Sequence, residues 1–99
     1  MENNETIQRI FDAVKKVTGV DRSTVTSGSR VREHYFARMI VAYHLKDAGF
    51  SNNIICAQIK VTKVAVTYQI KGYMREWTPY FRRCAKEVKD LLTQNTIKS

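Results

Sequence analysis

Apolar residues return every three or four positions along nearly the whole chain, and no stretch alternates as a strand would. That regularity confines the fold to packed helices. Ile7, Ile10, Phe11, Val14 and Val17 form one stripe, which predicts a helix over about 5–17 ending near Gly19. Asp21 suits the cap of a short turn through Val25. Thr26-Ser27-Gly28-Ser29 reads as a loop, because small hydroxyl side chains compete for backbone hydrogen bonds. A helix is expected over about 33–47, apolar on every side from Met39 to Tyr43 and so central to a small core, with Gly49 as its stop. Ser51 caps a short helix with Ile54, Ile55 and Ile59 facing inward. Lys60-Val61 breaks the chain, and Thr62 caps a helix carrying Val66, Ile70 and Tyr73 to about residue 76. Thr78 before Pro79 starts the last helix, with Phe81, Cys84, Ala85, Val88, Leu91 and Leu92 on one stripe. A frayed tail is expected over about 94–99. The expectation is all-α, one domain over 1–99, a bundle of five to six helices.

Ninety-nine residues close one modest core and leave no room for an ATPase module beside it. The acidic, polar start is unlike a signal peptide. The longest apolar stretch, Tyr35–Leu45, is broken by Arg38 and His44 and cannot span a membrane. Two distant cysteines, Cys56 and Cys84, exclude a disulfide scaffold and a zinc ribbon and fit a reducing, cytoplasmic setting, where both act as small hydrophobes. His34 and His44 lie ten apart, so they share no metal-ligand spacing and read as helix-surface or half-buried side chains. The glycines at 19, 28, 49 and 72 are isolated, so no loop cradles a phosphate. Neither cofactor, metal nor nucleotide is expected. Nothing pairs a nucleophile with a base, so an enzyme is not expected either.

The charge points to a partner. Arg22 to Arg83 holds eleven basic and three acidic residues, a local +8, while the two ends hold six of each sign. A field of that sign attracts phosphate backbones. Within the segment, residues 51–76 read as a helix-turn-helix. Cys56 is the small residue at the crossing, Val61 plugs the turn, and Lys60 stands where such turns often have Gly. Thr62 opens the second helix, leaving Lys63, Val64, Thr67, Tyr68 and Lys71 on its outer face. A recognition helix needs that arrangement, with base readers near its N-terminus and Lys further along for phosphate. Ser27-Gly-Ser-Arg30-Val-Arg32, with Arg38 in the next helix, adds a polar loop presenting Arg, which suits minor-groove and phosphate contact.

Ser27-x-x-Arg30-x-Arg32, then Ala37-Arg38-x-Ile40-x-x-Tyr43, then Ser51 and Ile55, resembles the C-terminal DNA-binding domain of the bacterial replication initiator DnaA, a helical fold related to the Trp repressor. The likeness runs from about Ile7 to Leu92. It implies a helical bundle in which a basic loop feeds the long helix and a helix-turn-helix follows. It implies that Arg30 enters the minor groove and that Arg32 and Arg38 contact phosphate. That family opens its recognition helix with Asp-His-Ser/Thr-Thr-Val. Aligned on Val66, those readers are here Thr62, Lys63, Val64 and Ala65, and the preceding turn is one residue shorter.

The sequence is therefore read as a cytoplasmic, double-stranded-DNA-binding protein, with Lys63, Val64, Thr67 and Tyr68 at base edges and Arg30, Arg32, Arg38 and Lys71 on backbone or minor groove. Two other readings stay open. One is a phage or mobile-element transcription regulator of the same fold. The other is a protein-interaction adaptor that no longer reads DNA and uses exposed Tyr68, Trp77 and Tyr80. Monomer and homodimer are equally compatible with the sequence.

Overall fold

In the computed structural model, which describes the backbone of residues 2–98 and the side chains of residues 4–93, six helices follow one another with no strand among the described residues. They are α1 (Glu2–Thr18), α2 (Arg22–Val25), α3 (Arg32–Asp47), α4 (Asn52–Ile59), α5 (Lys63–Arg75) and α6 (Pro79–Lys98). The tail expected at 94–99 falls where the side chains lie outside the described residues.

α3 is the axis of the bundle. Phe36, Ala37, Met39, Ile40, Val41, Ala42 and Leu45 are buried along it. α1, α2, α4 and α5 all pack against it, and α6 closes the far side against α1. The α1 stripe of Ile7, Ile10, Phe11 and Val14 and the α6 stripe of Phe81, Cys84, Ala85 and Val88 complete the core. Phe36 meets Phe81 edge-on, with ring centroids 5.1 Å apart. No helix among the described residues is long and apolar enough to cross a membrane.

The caps follow the sequence. Thr24 N–H donates to Asp21 Oδ1 at 2.8 Å, Ile54 N–H to Ser51 Oγ at 3.3 Å, and Ala65 N–H to Thr62 Oγ1 at 3.1 Å. The α3 terminus turns at Gly49 (φ 99°), where Phe50 N–H returns to Leu45 C=O at 3.1 Å and Gly49 N–H to Lys46 C=O at 3.0 Å. That paired closure requires the left-handed residue that glycine supplies. Ile54 departs from expectation. It lies on the outer side of α4 and is exposed, while Ile55 and Ile59 are buried.

Two backbone features set the placement of α5. At Gly72 a β-carbon would sit 2.7 Å from Met39 Sδ, so α5 crosses α3 closely because this position has no side chain. At Lys60 the chain adopts the left-handed conformation (φ 57°, ψ 50°), with Val61 N–H returning to Cys56 C=O at 3.1 Å. A side chain in that region costs roughly 1 kcal/mol. Lys60→Gly is therefore expected to stabilise the protein by about 1 kcal/mol, raising Tm by about 4–8 °C in a thermal melt. An unchanged or lower Tm would show that the turn carries no such strain.

Candidate nucleic-acid interface

α5 is held from behind by Val66, fully buried, and by Ile70 and Tyr73 against the core. Tyr73 stacks flat on Tyr43 of α3, with centroids 3.9 Å apart and planes 4° from parallel. With one face so anchored, helical spacing turns the other outward. Thr62, Lys63, Val64, Thr67, Tyr68 and Lys71 are all exposed. Val64 keeps 64% and Tyr68 65% of its surface in water. Large apolar side chains standing out among lysines on one face form a surface suited to an anionic partner with apolar or aromatic parts.

The loop before α3 is knit together rather than slack. Ser27 Oγ donates to Thr24 C=O at 2.7 Å and accepts from Ser29 N–H at 3.3 Å. Ser29 Oγ accepts from Val31 N–H at 3.2 Å and shares a hydrogen bond with His34 Nδ1 at 2.8 Å. From below, Arg38 clamps both ends of the loop. Its Nε donates to Val25 C=O at 3.0 Å and its Nη2 to Ser29 C=O at 3.1 Å. This corrects the outward role expected of Arg38. It is only 6% exposed, and burial holds its guanidinium below the usual arginine range. Arg30 is exposed on the loop as expected, and Arg32 is exposed as the first residue of α3 rather than on the loop. Arg32 is also oriented: its Nη2 donates to Thr78 Oγ1 at 2.9 Å, and its guanidinium lies 5.2 Å from the Phe36 ring centroid.

Three features were not anticipated. Arg22, counted within the basic segment, is committed internally. It donates to Gln8 Oε1 at 3.2 Å and Gln58 Oε1 at 2.5 Å and covers the Phe11 ring at 4.4 Å, so it joins α1, α2 and α4. Tyr80, expected to be exposed, is half-buried against Phe36, whereas Trp77 is exposed as expected, at 89%. His44 is buried, not at the surface, and its Nε2 has no hydrogen-bond partner.

Burial pushes the His44 imidazole down to about 4, with Asp47 opposing the shift and Lys89 adding to it. The unfolded chain takes up this proton near pH 6.5, whereas the folded chain resists until about 4. Stability from this residue is therefore complete above about pH 6.5 and is lost as the pH falls toward 4, to a total of at most about 3 kcal/mol. His44→Leu is expected to flatten the fall of Tm between pH 6.5 and 5, a range above the ordinary carboxylates. Equal slopes in both proteins would contradict this.

No group of three or more His, Cys, Asp or Glu among the described residues is arranged to hold a metal ion. Comparison of the chain with known protein families, with curated proteins and with solved structures finds no match.

Proposed function

We propose that this protein binds double-stranded DNA, with α4 and α5 acting as a helix-turn-helix and the 26–31 loop as a second contact. The observation that carries the reading is the outer face of α5. Lys63, Val64, Thr67, Tyr68 and Lys71 are exposed together on a helix whose opposite face is fixed in the core. An α-helix fits the major groove, where Lys63 donates to guanine O6 or N7 and Val64 packs on a thymine methyl. Thr67 and Tyr68 extend the reading along the helix, and Lys71 reaches phosphate. Arg30 on the loop and Arg32 at the start of α3 are exposed and supply minor-groove or backbone contact.

The likeness to the replication initiator's DNA-binding domain supports the same partner. It does not carry over the initiator's target, because Thr62, Lys63, Val64 and Ala65 stand where that family has its readers. A transcription regulator of the same architecture shares every contact named. The adaptor reading draws on the same exposed Val64 and Tyr68, which would equally suit a protein partner.

Selection from a pool of randomised duplexes tests the proposal. Enrichment of a short motif with G and T at its reader positions is the expected result. A pool that stays random while the protein is folded would sink the sequence-reading role of α5.

A further inference from the structure

The outer face of α5 does not end at Lys71. It continues through Met74, 65% exposed, and Arg75 to Trp77, the protein's one tryptophan, in the connection to α6. Trp77, Met74, Arg75, Glu76 and Arg82 enclose a notch of about 470 Å³. Glu76 is the single acid there, and its carboxylate is occupied: Oε2 accepts from Thr78 N–H at 3.2 Å and from Thr78 Oγ1 at 2.5 Å. The same Thr78 Oγ1 accepts from Arg32, so the notch is tied to the basic loop. The indole, almost wholly in water, shares this notch with two arginines, and a third is linked one residue away through Thr78. Its flat π face and the surrounding positive charge complement a stacked base and its phosphates.

We propose that the Trp77 notch is a stacking site for an unpaired base of single-stranded DNA, with Arg75 and Arg82 neutralising the phosphates beside it. A base within a duplex is already stacked on both faces and offers the indole nothing, so the site selects a strand that is open or ends. The inference rests on the nucleic-acid reading of the surface but concerns a different substrate and residues outside the α4–α5 readers.

The test uses the full chain, a labelled 15-nucleotide oligo-dT and a labelled random duplex. Two signals are followed: anisotropy of the DNA and emission of the tryptophan. Because Trp77 is the sole tryptophan, its emission reports this site alone. Oligo-dT is expected to quench the emission with the same midpoint as the anisotropy change. Trp77→Ala is expected to weaken oligo-dT binding about tenfold, Trp77→Phe to retain most of it, and neither to change duplex affinity by more than about twofold. Circular dichroism checks the fold, which an exposed side chain should not disturb. Duplex binding with no oligo-dT binding, with silent tryptophan emission, or with Trp77→Ala equal to the parent overturns this site and leaves the duplex reading standing. Binding of neither DNA overturns both. Equal weakening of duplex and oligo-dT by Trp77→Ala would also overturn it, since the notch would then serve the duplex.

Discussion

Replacing Arg38 by Ala is expected to cost about 2–3 kcal/mol of stability, because two loop carbonyls lose a charged donor and each buried acceptor left unmade costs about 1–3 kcal/mol. The carbonyls are those of Val25 and Ser29, at the two ends of the loop that presents Arg30. Relief of the buried guanidinium offsets part of the loss. At this chain length the change corresponds to a Tm lower by about 10–20 °C. Arg38→Lys should recover little, since one ammonium on a flexible stem does not span both acceptors as the planar fork does. DNA affinity of the residual folded protein should also fall, through a loosened loop. If Tm is unchanged while DNA affinity drops, Arg38 contacts phosphate after all and its buried geometry has been misread.

The second large effect concerns binding. Lys63→Ala with Lys71→Ala is expected to lower affinity for the preferred duplex by about a hundredfold at low salt. Lys63 lies in the first turn of α5, where a lost base contact costs about 1–3 kcal/mol. Lys71 lies two turns on, where a lost phosphate contact removes one counterion-release step. The log–log salt slope should become shallower by about 1–2. Both side chains are exposed, so the melting temperature should hold. Unchanged affinity with a native melt would move the interface away from this face.

Much of this surface was legible in the sequence, because caps and stripes are local. Ser51 and Thr62 each stand just ahead of an apolar run, Asp21 precedes the polar turn Arg22–Val25, and each caps the helix expected of it. The outer face of α5 follows from Val66, Ile70 and Tyr73 at spacings of four and three. Ile54 lies about 100° round α4 from Ile55, and packing rather than spacing leaves it outside, since adjacent pairs such as Ile10 and Phe11 are both buried. Arg38 had a signal that its charge concealed: it stands three and seven positions before Val41 and Leu45, both buried, on the inner stripe of α3. Its acceptors lie thirteen and nine residues back in the chain, a pairing no periodicity encodes. The same holds for the tie between Arg32 and Thr78, which are 46 residues apart. Trp77 is exposed as expected, whereas Tyr80, expected to be exposed beside it, is half-buried against Phe36 of α3, a contact that no local pattern encodes.

The measurement that tests DNA binding most directly is the salt dependence of affinity for a random duplex. With Arg38 withdrawn beneath the loop, Arg30, Arg32, Lys63 and Lys71 remain as the exposed cations of the proposed interface. Neutralising about four phosphates predicts a log–log slope near −4. A slope of that size across about 50–200 mM salt is the expected result, whereas no binding or a slope near zero would contradict a DNA-binding role.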